Sequence, residues 1–195
     1  MNIIYILLGG LVLLVIYAVS LYNWFQTALV RITASIQDIG NQLKRQASLI
    51  PNLESAAKGY LKHEKDIFKS LTDARKSVEA AIGSNDLKKM DKAGQMMDAL
   101  LPKIQVLVES NPEIKGSEVV TKLMDELRDT SDKLMYARRT VIDLSAGYNQ
   151  RLVTFPSNLI GGLLGFKSQP GLSTPATGAH LEVSSSETGD PKISL

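Results

Sequence analysis

The sequence has no cysteine and only two histidines, His63 and His180, in 195 residues. The first absence excludes disulfide staples, thiolate metal sites and cysteine nucleophiles. The second leaves little for imidazole chemistry, since neither His-x3-His nor Glu-x2-His spacing occurs. His63 and Glu64 adjoin, so on a helix they point about 100° apart and cannot hold one ion together. No Gly-x-Ser-x-Gly elbow supports Ser131 or Ser145 as a nucleophile. Gly161, Gly162 and Gly165 match neither the spacing nor the strand-to-helix setting of a phosphate loop. These absences predict no enzyme, with no catalytic residue, metal ligand or cofactor.

Charge is missing from one region. Met1 to Val30 contains no Asp, Glu, Lys or Arg, whereas Arg31 to Phe166 carries 20 basic and 17 acidic residues. Near balance argues against a nucleic-acid partner, which needs a basic excess to neutralise phosphates. Lys88-Lys89 and Arg138-Arg139 are interleaved with acids and read as solvated helix face.

The uncharged run Ile3 to Tyr22, as a helix, spans roughly 30 Å, about the hydrocarbon thickness of a bilayer. Residues 1–24 are therefore expected to form a single transmembrane anchor, with Tyr22, Trp24 and Phe25 in the interfacial aromatic belt. A cleaved signal peptide is the alternative, because Ala18-Val19-Ser20 resembles a cleavage site. Against it stand the missing positive n-region and the length of the run. Arg31, Lys44 and Arg45 follow the anchor, and the positive-inside rule then favours a cytoplasmic C-terminal domain.

From Leu29 onward apolar residues recur every three or four positions, the pattern of a helix burying one face. The first stripe is Leu29, Ile32, Ile36, Ile39, Leu43, Gln46, Ile50, and it continues from the anchor without a break. Leu49-Ile50-Pro51-Asn52-Leu53 is predicted as a helix turn, with Pro51 ending one helix and Asn52 capping the next. The second stripe runs from Leu53 through Tyr60, Glu64, Ile67, Leu71, Ala74 and Val78 to Ala81. The third runs from Leu87 to Val108 with a kink at Pro102, and the fourth from Val120 to Leu152. No alternating β-branched run competes. The fold class is all-α: an antiparallel up-and-down four-helix bundle over residues 25–166, its first helix continuous with the transmembrane helix.

After Pro156, the segment Asn158 to Phe166 is apolar, uncharged and too short to span a bilayer. Two roles are open to Leu159, Ile160, Leu163, Leu164 and Phe166: lying in the membrane interface beside the anchor, or capping the end of the bundle. Residues 167–195, rich in Ser, Thr, Gly and Pro, are expected to be a disordered tail.

Two charged residues fall on core-facing stripes, Glu64 in the second and Arg138 in the fourth. A charge in a core needs a partner, so Glu64 is expected to pair with Arg138 or with Arg75. The alternative is that Glu64 bends outward to water.

Several local runs resemble the LemA family. They are Tyr22-Asn23, Gln42-Leu43-Lys44-Arg45, Leu49 to Leu53, Gly59-Tyr60, His63-Glu64 and Ala74-Arg75 in the first half. In the second half they are Asn111 to Ile114, Ala137-Arg138-Arg139, Tyr148-Asn149, Phe155-Pro156 and Gly165-Phe166. The resemblance covers about residues 20–166. It implies a bacterial single-anchor membrane protein with a helical-bundle domain, and it brings no enzymatic activity; some relatives are associated with magnetosome membrane formation. Departures from the family pattern stand at Gln46, Ser48, Asn111, Ser131 and Val141-Ile142.

The expected function is a membrane-anchored scaffold or protein-interaction module. Its expected partners are membrane lipid, membrane or cytoplasmic proteins, and a second copy in a homo-oligomer. The alternative is a membrane-shaping protein acting by oligomerisation and insertion of residues 158–166.

Overall fold

The computed structural model describes residues 2–57, 65–84 and 86–172. Among these the chain is all-helical, without a β-strand. Six helices follow in order: α1 (Asn2–Ala57), α2 (Lys65–Ser84), α3 (Leu87–Ser110), α4 (Pro112–Lys115), α5 (Glu118–Val153) and α6 (Ser157–Leu163).

The 56 residues of α1 extend roughly 84 Å at 1.5 Å per residue. Ile3 to Ser20 includes no buried residue, and an 18-residue window there has a mean hydropathy of 2.6. By length and composition this part can cross a membrane. Burial begins at Leu21 and Phe25 and continues along Ile32, Ile39, Leu43, Gln46 and Ile50. One helix thus serves as apolar stem and as bundle wall, as the unbroken first stripe predicts.

α5 packs along α1, α2 along α1 and α3, and α3 also touches α5. Phe25 meets Tyr148 and Arg45 meets Glu126, so moving up α1 moves down α5 and the pair is antiparallel. Leu71, Ala74, Val78 and Ala81 of α2, Met90 and Met97 of α3, and Leu127, Leu134 and Val141 of α5 join Ile39, Leu43 and Ile50 in one core. Each large side chain so buried contributes about 1.5–3 kcal/mol. Gly94 of α3 lets that core close: a Cβ there would stand 3.3 Å from Leu134 and 3.7 Å from Leu43. A smaller cluster of Leu21, Phe25, Ala28, Ile32 and Tyr148 lies toward the stem.

Side-chain caps and a proline set the helix ends from α3 onward. Asp86 caps α3 by accepting from the Lys88 and Lys89 amides, and Asn111-Pro112 divides α3 from α4. Ser117 caps α5. Pro102 is accommodated inside α3.

The helix turn predicted at Leu49 to Leu53 is not there. α1 runs through Pro51 to Ala57, and Asn52 is exposed inside the helix rather than at a cap. Pro51 forfeits one intrahelical hydrogen bond, but Leu49, Ile50 and Leu53 are all buried in the main core only if the helix continues. Packing outweighs the local preference of proline. Tyr60, His63 and Glu64 lie outside the described residues.

The chain also stays on the fold past Phe166. Residues 167–172 run as an extended strap along α5, from Asn149 toward Ser145, and Leu172 packs on the main core. Residues 173–195, with His180, lie outside the described residues.

Candidate functional site

Arg138 finds acids, and they come from α3. Its guanidinium lies 2.6 Å from Asp91 Oδ1 and 3.6 Å from Asp98 Oδ2. The closer contact is ionic, since no N–H points squarely at that oxygen. Asp91 and Asp98 are seven residues apart, two helical turns, and so share the face of α3 that meets α5. The Ser131 hydroxyl donates to Asp98 Oδ1 at 2.7 Å, two turns before Arg138. The side chains of Arg138 and Asp91 are 24% and 13% exposed, so the pair sits at the edge of the core rather than inside it.

Arg138 and Arg75, the two arginines considered for Glu64, each meet other acids among the described residues. Arg75 goes to Glu79 on its own helix at 2.9 Å, on the exposed surface. Glu64, the third member of the expected network, is outside the described residues. The acids that do hold Arg138 have a legible sequence signal, two aspartates at heptad spacing beside the third apolar stripe.

A second polar position lies on α1. Gln46 is fully buried on the stripe between Leu43 and Ile50, and among the described residues neither atom of its amide has a hydrogen-bond partner. Nearby on the surface, Arg45 binds Glu126 through Nε and Nη2 on one oxygen, linking α1 to α5. That bond to Glu126 holds the Arg45 guanidinium above its ordinary range.

The stem end of the bundle collects the aromatic residues. Phe25 is fully buried beneath other side chains of the protein. Tyr148 meets it edge-on at 5.2 Å and Phe166 stacks on it at 4.7 Å. Partners on α5 and beyond α6 therefore cover a ring that the sequence alone leaves facing lipid. Tyr22 remains half-exposed, tilted against Phe166 at 5.8 Å. Arg151 lies over the Trp24 ring at 4.2 Å, a cation–π contact. Burial pushes the Tyr148 phenol up from its ordinary value, with the nearby Gln169 side chain opposing.

α6 divides its residues between two sides. Ser157 and Gly161 face inward, where a Cβ on Gly161 would stand 3.0 Å from Leu152 and 3.3 Å from Phe25. Ile160 and Phe166 pack on the aromatic cluster. Leu159, Leu163 and Leu164 face outward. The segment caps the bundle with one side and bares apolar side chains with the other.

Asn149 then fastens the strap. Its Nδ2 donates to the Gln169 carbonyl at 2.8 Å, while its Oδ1 accepts from the Gln169 amide at 2.8 Å and from the Ser168 hydroxyl at 3.0 Å. The spacing of residues does not reveal this clamp, because two of its three bonds are to backbone. Gly171 lies so close to α5 that a Cβ would fall 2.7 Å from Ser145 Oγ.

Among the described residues no three His, Cys, Asp or Glu side chains gather as metal ligands. An open groove of about 440 Å³ between α1 and α5 is lined by Ser35, Asp38, Gln42, Asp132, Lys133 and Tyr136. Its charged groups face water.

The LemA family model matches residues 35–184, well over half of the chain. The chain belongs to the LemA family. The LemA match begins within α1 at Ser35 and runs past Phe166, so it takes in the rest of α1, α2 to α6 and the strap. Arg138, Tyr148 and Asn149, quoted above for the family resemblance, are the residues that hold α3, the aromatic cluster and the strap to α5. No curated protein matches the chain.

Proposed function

We propose that this chain is a membrane-tethered, non-enzymatic scaffold, an interaction module standing on the cytoplasmic face of a bacterial inner membrane. The supporting observation is that α1 passes without a break from an exposed apolar stem into the core. The part of α1 from Leu21 to Ala57 would rise roughly 55 Å from the bilayer, with α2, α3 and α5 packed around it as an antiparallel up-and-down bundle. Such a rod holds binding surfaces at a fixed distance from lipid. Tethering raises local concentration, so weak contacts suffice. Arg31, Arg151 and Lys167 at the stem end support the cytoplasmic side.

Proximity labelling with the full chain, compared with residues 1–24 alone, tests this. The expected result is a set of neighbours that requires the bundle. The same background from both would overturn the scaffold role. A membrane-shaping role through oligomers is the second reading, and it draws on the outward side of α6.

A further inference from the structure

Five apolar side chains stand out from the stem end of the bundle. Val153 and Phe155 are each 74% exposed, Leu159 is 63% and Leu163 is 88%, with Leu164 beside them. A water-facing surface would carry charge between such residues, yet residues 152–166 carry none. The inward side of α6 explains why the segment is folded there. It does not explain why the outward side is apolar.

The position of the patch along α1 supplies the reason. Gly161 touches Phe25, and Phe166 stacks on the same ring, so α6 is pinned at Phe25. Ser20 is the last residue of the fully unburied apolar stretch, and Phe25 lies about 7 Å farther along the helix axis. The interfacial layer on each side of a bilayer's hydrocarbon is of similar depth, about 5–7 Å. When α1 crosses a membrane, α6 is level with the headgroups.

Charge at this end agrees. The fold brings residues 1–32 together with 144–169, and between them these carry Arg31, Arg151 and Lys167 but no Asp or Glu; Asp86 borders them only farther up, across a groove lined by Thr33 and Gly171. Residues 38–143, the rest of the bundle, hold 18 basic and 17 acidic residues. Among the described residues, the stem end below that groove is free of acids. A cationic, acid-free rim around exposed leucines suits a bilayer with anionic headgroups.

We propose that α6 and the turn before it form a second lipid contact, inserting Phe155, Leu159 and Leu163 into the headgroup boundary of the leaflet on the bundle side. This rests on the reading of α1 as an anchor. Two contacts at one level would hold the rod at a set angle to the membrane, which a single helix can swivel around. Arg151, spread over Trp24, and Lys167 would meet lipid phosphates at the rim of the patch.

The absence of cysteine makes single thiol probes specific. The full chain carrying Leu163→Cys, Met135→Cys or Leu11→Cys, labelled with an environment-sensitive fluorophore, is reconstituted in phosphatidylethanolamine–phosphatidylglycerol vesicles. Quenchers are placed either on the lipid chains or, as iodide, in the water. Met135 is exposed midway along α5 and serves as the water-facing comparison. The probe at 163 is expected to be quenched by lipid at least about threefold more than at 135, and shielded from iodide. In a Phe155→Asp, Leu159→Asp background, whose positions are exposed, that excess should vanish while helicity is kept.

Equal quenching at 163 and 135 would overturn the lipid contact. So would shielding from iodide without lipid quenching, lost on dilution of protein in lipid, which would make the patch an interface between copies. The probe at position 11 separates the two readings. If it is lipid-quenched while 163 is not, only the second contact fails; if it is not, the anchor fails and the contact with it.

Discussion

Gln46 shows what a single side chain can cost. It occupies a core position on α1 with no partner for its amide among the described residues, so folding strips its water without replacement there. Gln46→Met keeps the shape and removes the unsatisfied groups, and is expected to raise stability by about 1 kcal/mol. Thermal unfolding of the full chain in detergent, followed by circular dichroism, checks this; a lower midpoint would contradict it. Arg138 is the opposite case, a charge whose partners are present. Arg138→Met should cost about 1–2 kcal/mol, largely because Asp91 is left partly buried and unpaired. Adding Asp91→Asn should recover about 1 kcal/mol of this, and additive effects in that cycle would dismiss the pair. Arg138 was legible from the sequence as a charge on a buried stripe. Its partners were not settled there, because spacing gives the face a residue shares on its own helix and says nothing of the helix opposite.

At the scale of elements, two features depend on contacts distant in sequence. α1 keeps its course through Pro51 because Leu49, Ile50 and Leu53 reach the core that way. Pro51→Ala restores the missing hydrogen bond inside a helix and is expected to stabilise by about 1–2 kcal/mol, after allowing for the looser unfolded chain. Were Pro51 the corner of a turn, the same change would destabilise, so a denaturant titration decides between the two. The strap depends on Asn149 alone for three of its bonds. Asn149→Ala should leave the helices intact and speed tryptic cleavage after Lys167 by about tenfold, as the local opening becomes easier by about 1.4 kcal/mol. Unchanged cleavage, read by mass spectrometry, would mean that the strap is held by Leu172 and Phe166 instead.

For the whole molecule the stem and the bundle are one object, because α1 belongs to both. Full-length chain is therefore expected to remain in the membrane pellet after alkaline carbonate extraction, at its uncleaved mass. A chain starting at Leu21 should be extracted. Recovery of the full-length chain in the supernatant, or of a product shortened by about 20 residues, would remove the anchor. Loss of the stem leaves the main core untouched, since Ile39 to Val141 lie wholly above it.

The sequence by itself determined the helical class, the apolar stem, the buried stripes and where the third and fourth of them begin. These are local properties: spacing of apolar residues, absence of charge, and side chains that cap a helix end within three residues. The tertiary structure alone decided that Pro51 lies inside a helix, that Phe25 is covered by Tyr148 and Phe166, that Arg138 belongs to Asp91 and Asp98, and that Asn149 clamps a strap. Each of these turns on which surface meets which across the bundle. That choice is made by burial summed over many residues, which at Pro51 exceeds the preference of the proline itself.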